Sequence, residues 1–555
     1  MRLRLGLIIA VFGHVVLLPV TCGTQAPLLP LHHQESEFYE FQWPIRRVAI
    51  IGAGPGGLIN YREFIQAGYD VHLFERDDVP GGNWHYTDET PVDAPIPNAD
   101  IAVADYVPSL PPKGSKLPYE DNGAESDEAL RAHRGPKPIW ETLHSNAPAP
   151  IQQITEFPWP KGTPWACRMP RSEELVEKRF DDHGRHSGWT LTLKKHVRIG
   201  PHSSKATWTI EDFDAVVVAT GRYNAPSIPG IPGLKEWGDQ FPGRISHSRQ
   251  YRRPQPHTNQ TVLVVGAATS GGEIARDLNP YVKKIYQSIR PENSTKPHFL
   301  LELFLRRLPS NVTIIPEIKR FLPPTSRIDT SRVELANGTI LSGIDSIIFA
   351  TGFRYTFPFL PQYHDSSITR DDDEGIPHPR PIVTDGTHLR SLYLDIFYIE
   401  EPTIAFVDMN IGMQSFTYAE YIGVALTKVW ANKARIPATP ELWRRQRAHV
   451  KELGGYGRHF QFLGSERTDR NIRYFLGWLN EAAAKYGGRQ IDGINPGNAE
   501  IAALWNKARF GSDILLGTPV NLTFAVAGDV RINEAVMENL GISTAELIDV
   551  YNDNW

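Results

Sequence analysis

The chain has 555 residues, 41% of them hydrophobic and 22% charged, which exceeds the span of a single hydrophobic core and excludes global disorder. Its 58 Lys and Arg against 63 Asp and Glu leave a net charge of -5, so there is no general electrostatic attraction to nucleic acid or anionic lipid. Two cysteines, Cys22 and Cys167, exclude a disulfide framework, a CxxC redox pair and a cysteine-rich zinc site.

Arg2 and Arg4 precede an apolar run from Leu5 to Val20, with small residues around Cys22 to Ala26. This layout predicts a secretory signal peptide over residues 1–24, or an uncleaved signal anchor, with the rest of the protein in the ER lumen or secreted. The competing reading is a start codon placed upstream of a cytosolic enzyme. Asn259, Asn293, Asn311, Asn337 and Asn521 each open an N-x-T triplet, which agrees with secretory entry as a glycosylation acceptor and also arises by chance.

Arg46 to Ile51 is a β-branched run of the kind that forms a buried parallel strand, and it leads into Gly52-Ala-Gly54-Pro-Gly-Gly57. A helix is predicted over 58–67. Gly52 permits a tight turn, Gly54 lets a pyrophosphate approach the backbone, and Gly57 lets helix and strand pack closely. A second strand, Val71 to Phe74, delivers Glu75 about 20 residues after the glycines, where a carboxylate accepts hydrogen bonds from an adenosine ribose. Strand, glycines, helix, strand and acid in this order predict a dinucleotide-binding unit.

Thr261 to Val265 leads into Gly266-Ala-Ala-Thr-Ser270-Gly271, then a predicted helix over Glu273 to Leu278 and a strand over Ile285 to Ile289. This is a second unit of the same design, with Ala268 in place of the middle glycine, which narrows the approach of a pyrophosphate. Arg290 closes its second strand where the first unit has an acid. An arginine there pairs with a ribose 2′-phosphate and favours NADP over NAD, unless it is a solvated surface residue.

Between the two units, Phe241-Pro-Gly243-Arg-Ile-Ser-His247-Ser-Arg-Gln-Tyr251 matches the pattern FxGxxxHxxxY. With Gly81-Gly82-Asn83-Trp84, the strand-end segments Ala219-Thr220-Gly221 and Ala350-Thr351-Gly352, and Leu143-His-Ser-Asn146-Ala-Pro148 followed by Phe157-Pro-Trp-Pro160, the chain resembles the flavin-containing monooxygenases, the class B flavoprotein monooxygenases. The resemblance covers roughly residues 45 to 435. His247 to Arg252 and the non-glycine position in the second loop are most similar to fungal thiol-oxidising and plant glucosinolate S-oxygenating members; Tyr251 stands where Baeyer-Villiger relatives have tryptophan.

The resemblance implies an α/β fold with two Rossmann-like domains. An FAD domain spans 45–230 and 340–435, an NADPH domain is inserted at 231–339, and a helical C-terminal cover occupies 436–555. It implies FAD and NADPH as cofactors, held by Gly52, Gly54, Gly57, Glu75, Gly82, Trp84, Thr220, Gly266, Ser270, Gly271, Arg290, Thr351 and Gly352. The implied chemistry is reduction of FAD by NADPH, capture of O2 as a flavin 4a-hydroperoxide, and oxygenation of a small molecule with a nucleophilic sulfur or nitrogen, in fungal secondary metabolism. Asn146 is the expected catalytic residue, since a neutral amide both donates and accepts without adding charge. His247 and Tyr251 are read either as functional or as packing between domains.

Pro91 to Pro118 is expected as a surface excursion, Pro226 to Gly233 as a rigid crossing, and Asp371 to Glu374 as a solvated turn rather than a metal site. One departure stands out. Relatives have about 25 more residues between the segments resembling Met169 to Ser172 and Trp189 to Leu193. Either an exon portion was left out of the gene model or the protein is a non-catalytic flavin-binding remnant, which stands beside a Baeyer-Villiger oxygenase as an alternative to an S- or N-oxygenating enzyme.

Overall fold

The computed structural model describes residues 37–493, except 98–100, 102–106, 123–130, 132, 144–153, 155–171, 201–202, 291–304, 306–307, 370, 372–374 and 377. The expected leader, both cysteines, the Asn146 segment and residues 494–555 lie outside the described residues. Among those described, no helix is long and apolar enough to cross a membrane.

In chain order, β1 (Arg47–Ile51), α1 (Pro55–Gln66) and β2 (Asp70–Phe74) form the first βαβ unit. A meander follows: β3 (Tyr119–Asp121), β4 (Ser172–Phe180), β5 (His186–Gly200) and β6 (Ser203–Phe213). Then come β7 (Ala215–Val218), β8 (Ala225–Pro226), α2 (Leu234–Gln240) and β9 (Ile245–His247). The second unit is β10 (Thr261–Val265), α3 (Thr269–Leu278) and β11 (Lys284–Ile289), followed by β12 (Thr313–Pro316), β13 (Ile318–Phe321), β14 (Val333–Leu335), β15 (Ile340–Leu341), β16 (Ser346–Phe349) and β17 (Phe353–Arg354). Strands β18 (Leu392–Tyr393), β19 (Phe397–Tyr398) and β20 (Ile404–Phe406) precede helices α4 (Ser415–Trp430), α5 (Thr439–Glu452) and α6 (Gly464–Tyr486).

Two sheets carry the nucleotide units. The first has the order β18-β19-β20-β7-β1-β2, and β1 pairs in parallel with β2 from Arg47↔Asp70 to Ile51↔Phe74. The second has the order β12-β11-β10-β16-β9 and is parallel throughout. Val48 to Ile51 and Thr261 to Val265 are buried, as central strands covered on both faces must be, and β-branched side chains suit that environment. Both helices start earlier than the hydrophobic pattern indicates, at Pro55 and Thr269, because the glycine loop itself supplies the first turn. Proline at the first helical position loses no intrahelical hydrogen bond there.

Two expectations are revised. Strand β16 pairs with β10 and β9, so the second nucleotide fold runs past the expected boundary at 339/340 and ends near Phe349. The crossings between folds lie side by side, since β8 pairs antiparallel with β17. Within the excursion from Pro91 to Pro118, Ala94 and Ile101 are buried and Ala94 joins the core of the second fold, so that segment is partly internal.

The short stretch before Trp189 closes as a hairpin. Strand β4 pairs with β5 from Ser172↔Lys195 to Phe180↔His186, and Asp181 Oδ1 accepts the amides of His183 and Arg185, both at 2.9 Å, to form the turn. Trp189, Leu191 and Leu193 are buried, and the Trp189 indole donates to Thr403 Oγ1 at 3.0 Å. Helix α6 contains the expected segment Ile472 to Lys485 and buries Thr468, Ile472, Phe475, Leu479, Ala482 and Ala483, one face at helical spacing.

Candidate functional site

The first glycine loop leaves the carboxyl edge of the first sheet. Gly52 has φ +102°, and a Cβ there would stand 2.5 Å from the carbonyl oxygen of Ala219. A Cβ on Gly57 would lie 1.9 Å from the carbonyl oxygen of Gly52, so α1 leaves the strand this closely only with hydrogen at that position. Gly54 is different. Its φ of -70° and ψ of 179° suit any residue, and a Cβ would find only the Gly82 Cα, at 3.8 Å. The protein's own packing does not require glycine there; the bare backbone leaves room for something else. Helix α1 has no side-chain cap and no acid in its first turn, so its free amides and positive end are available to an anion such as a pyrophosphate.

Glu75 ends β2 and is buried. Its Oε2 accepts the amide of Ala53 at 2.8 Å, its Oε1 accepts that of Asp77 at 3.0 Å, and Lys137 Nζ lies 3.4 Å away. Burial alone would raise its pKa, but Lys137, the two amides and Arg76 outweigh this and hold it below the usual carboxylate range. It is therefore an ionised acceptor tied to the glycine loop. The next residue, Arg76, joins Arg131, Tyr223, Asn224, Arg249 and three prolines around a small cavity.

The turn at 81–84 packs on the loop: Gly81 donates to the Ala53 carbonyl at 2.9 Å, and a Cβ on Gly82 would reach the Gly54 Cα at 3.0 Å. Trp84 is exposed, with its ring 5.5 Å from that of Phe416 at the start of α4. Thr220 and Gly221 follow β7, opposite Gly52. The expected residues Gly52, Gly54, Gly57, Glu75, Gly82 and Thr220 thus converge on one edge of the first sheet, with Trp84 at its rim.

A carboxyl group that the sequence did not single out completes this edge. Asp408 follows β20 at φ +60°, and its side chain occupies the space over Gly56, where a Cβ would come within 2.5 Å of its Oδ2. Its Oδ1 is out of contact with solvent and has no hydrogen-bond partner. Burial pushes its pKa up to about 7, against the opposing pull of Arg222, whose Nη1 donates to the Asp408 carbonyl at 2.6 Å. An orphaned buried acceptor beside an uncapped helix N-terminus, with open space over Gly54, fits a dinucleotide that carries hydroxyl groups next to a pyrophosphate. Local sequence offers no signal for this residue, because the chain brings it to the loop from about 350 positions away.

The second loop repeats the first. A Cβ on Gly266 (φ +103°) would stand 2.5 Å from the Ala350 carbonyl oxygen, and one on Gly271 would stand 2.1 Å from that of Gly266. Ala268 has φ -72° and ψ -169°, close to Gly54, so it carries its methyl without strain. Ser270 lies in the uncapped first turn of α3. Thr351 and Gly352 follow β16 at the same edge. Arg290 is largely exposed, with its Nε 3.7 Å from Glu317 Oε2, so on its own it resembles a solvated arginine.

The fingerprint residues fasten the second fold. His247 is buried; its Nδ1 accepts the Arg249 amide at 3.2 Å, which fixes the proton on Nε2, and Nε2 donates to the Gly352 carbonyl at 3.0 Å. Burial, helped by Arg249, lowers its pKa to about 3, so it stays neutral. Tyr251 donates to Asp277 on α3 at 2.5 Å. Both make packing contacts at the junction. Asn146 lies outside the described residues, and among the described residues no group of His, Cys, Asp and Glu is arranged to hold a metal.

Known proteins agree with this architecture. Residues 197–295 match the model for flavin-binding monooxygenase-like proteins, and residues 50–110 match that for NAD(P)-binding Rossmann-like domains. The chain is 57% identical over 499 residues, 83% of its length and 92% of the relative's, to flavin-containing monooxygenase iboF of Amanita muscaria. This chain belongs to the flavin-containing monooxygenase family. The monooxygenase is also 30% identical to ustF2 of Aspergillus flavus, over 81% of this chain and 95% of that one. It is 27% identical to the thiol-specific monooxygenase of Saccharomyces cerevisiae, over 71% and 79%. Its fold is shared with the S-allyl-L-cysteine S-oxygenase of Allium sativum at a TM-score of 0.57 and 20% identity, over 89% of this chain and 98% of that one. Membership of this family and the Rossmann-like match imply a flavin and NAD(P)H as cofactors.

Proposed function

We propose that this monooxygenase uses FAD and NADPH to transfer one oxygen atom of O2 to a sulfide, thiol or amine of a small molecule. The observation that carries the reading is the pair of helix starts without a side-chain cap behind Gly54 and Ala268, the first flanked by an ionised acid and the second by arginine. FAD supplies, when bound, the redox and oxygen chemistry. Residues 54–57 would hold its pyrophosphate, Glu75 its adenosine ribose, the cavity walled by Arg76 and Tyr223 its adenine, and Asp408 a hydroxyl donor. Residues 266–271 would hold the pyrophosphate of NADPH and Arg290 its 2′-phosphate. Asn146 would position the oxygen-bearing group without adding charge and keep protons from leaking to it.

The names of the yeast thiol-specific and the Allium S-oxygenating relatives support sulfur as the accepting atom. Residues 1–24 would route the enzyme to the secretory pathway.

The test is to supply the purified yellow protein with NADPH, O2 and, in turn, a thioether, a thiol, a tertiary amine and a cyclic ketone. Sulfoxide, disulfide or N-oxide formed in step with NADPH oxidation is the expected result. Lactone from the ketone with no product from the others would overturn it in favour of Baeyer-Villiger chemistry. In the same assay Asn146→Leu should still consume NADPH but release hydrogen peroxide in place of product.

A further inference from the structure

Four consecutive residues after β20 are each gripped by a different part of the chain. The Asp408 carbonyl accepts Arg222 Nη1 at 2.6 Å, and the Met409 carbonyl accepts the Tyr355 hydroxyl at 2.6 Å. The Asn410 side chain donates to Asp395 Oδ2 at 2.7 Å, and the Ile411 amide donates to the Gln461 carbonyl at 3.0 Å. Asp408 needs such a grip. Its φ of +60° is a left-handed conformation that residues with a Cβ rarely adopt, and it persists only where the surroundings over-determine it.

The third grip is made by a buried carboxyl group. Asp395 sits beside Leu394 in the turn between β18 and β19, at φ +57° and +58°, a turn that Asn or Gly would close at least as well. What its carboxyl adds is an acceptor on each side: Oδ2 takes the Asn410 amide, and Oδ1 takes the side-chain amide of Gln461 at 3.1 Å. The NH2 of Asn410 is thereby fixed toward Asp395. Its Oδ1 faces away and, among the described residues, is buried without a partner, as is Asp408 Oδ1 two residues earlier. Gln461 comes from the segment between α5 and α6. Its side chain also bonds both backbone groups of Leu389, at 3.0 and 3.1 Å, so Asp395 links a rigidly held part of the C-terminal region to the residues after β20.

We propose that Asp395 is a positioning residue: by bridging Asn410 and Gln461 it fixes residues 408–411, keeps the Asp408 side chain presented over Gly56, and makes FAD binding depend on the C-terminal region. This role rests on Asp408 serving as the acceptor of a flavin hydroxyl. Asp395 itself acts only through Asn410 and the backbone that joins it to Asp408. A plain brace of the fold would stabilise the chain equally with and without FAD, whereas a positioning residue changes the affinity of the folded protein for FAD.

Calorimetric titration of FAD into the full chain stripped of flavin separates the two. Asp395→Ala should weaken FAD about tenfold, as expected for loss of one well-made hydrogen bond at Asp408. The exchange of Asp395→Asn together with Asn410→Asp should return the affinity to within about threefold of wild type, because the amide at 395 then donates to the carboxyl at 410 and accepts from Gln461. Asp408→Ala should weaken FAD as well, and adding Asp395→Ala to it should weaken FAD no further, since one residue acts through the other. If Asp395→Ala yields little folded protein, Gln461→Met breaks the same bridge from its other end and carries the comparison with the same expected loss. Unchanged affinity in folded Asp395→Ala, beside a loss in Asp408→Ala, overturns the positioning role. A loss that the exchange does not recover overturns the donor–acceptor bridge as its cause. Unchanged affinity in Asp408→Ala instead overturns the flavin role of Asp408, while a loss in Asp395→Ala would then still place residues 408–411 in the flavin site through Asn410.

Discussion

His247 Nε2 donates to the carbonyl oxygen of Gly352 at 3.0 Å, which ties the fingerprint segment to the strand end on which the second nucleotide site is built. Both ring nitrogens are engaged by backbone and the ring is buried, so the residue acts as a neutral spacer. Its folded pKa of about 3 lies below the ordinary 6.5, so between those values the unfolded chain takes a proton that the folded protein refuses. Stability from this residue is present above pH 6.5 and lost as pH falls. At pH 5 the loss relative to pH 7 is about 2 kcal/mol. His247→Gln should remove that part of the acid sensitivity, while lowering stability at pH 7 by about 1–3 kcal/mol through imperfect hydrogen bonding. Urea titrations of both proteins at pH 5 and 7 check this, and an unchanged pH difference would count against a neutral, buried imidazole.

Gly54 and Gly57 are three residues apart and should fail differently. Ala at 57 drives a methyl into the Gly52 carbonyl and should destabilise the fold itself, by 3 kcal/mol or more on the order of a severe backbone clash. Ala at 54 meets nothing closer than 3.8 Å and should leave the melting of the flavin-free protein unchanged while reducing bound FAD. Flavin absorbance per chain, set beside thermal melts, separates the two. Full flavin content in Gly54→Ala would move the pyrophosphate elsewhere.

Helix α1 is locked to α4 and to the chain after α6 by two buried acids and two arginines. Arg62 donates to Glu63 at 2.6 Å and to Glu420 at 2.7 Å; Arg489 binds both acids as well, Glu420 at 3.0 Å. Arg489→Met should cost less than the about 3–5 kcal/mol of a fully orphaned buried charge, because Arg62 still serves both acids. Adding Glu63→Gln to that variant should recover part of the loss. Chemical unfolding of the single and double variants gives the comparison, and equal losses would show that the four charges do not act as a unit.

Much of this site was legible in the sequence because its parts are local. Arg46 to Gly57 and Thr261 to Gly271 each hold strand, turn and helix start within about a dozen residues, and buried β-branched runs in such a context have few other readings. The boundary between folds was not legible. Ser346 to Phe349 is a buried parallel strand, and such a strand has the same pattern whichever sheet it joins. Asp408 escaped for a related reason: it reaches the first glycine loop through tertiary packing and sits in no local motif. The hairpin before Trp189 was hidden too, since its alternation shifts phase: Leu191 and Leu193 are buried, and then Lys194 and His196.

Asp408 gives the opposite pH signature to His247. Its folded pKa of about 7 lies above the ordinary 3.8, so between those values the folded protein holds a proton that the unfolded chain has released. Stability from this residue is therefore full at low pH and falls as pH rises through that window. Between about pH 4 and 6.5 its slope opposes that of His247, so the wild-type curve alone shows little of either. The difference between wild type and Asp408→Asn isolates it. Asn has the same shape and no charge to desolvate, so the flavin-free variant should gain on wild type between pH 5 and 8, by about 2–3 kcal/mol. Bound FAD should reduce the difference, because a hydroxyl donor at Oδ1 favours the ionised form and lowers the pKa. Urea midpoints measured at pH 5, 6, 7 and 8, with and without FAD, test both statements. A difference independent of pH would mean that Asp408 ionises normally, and one indifferent to FAD would remove it from the flavin site.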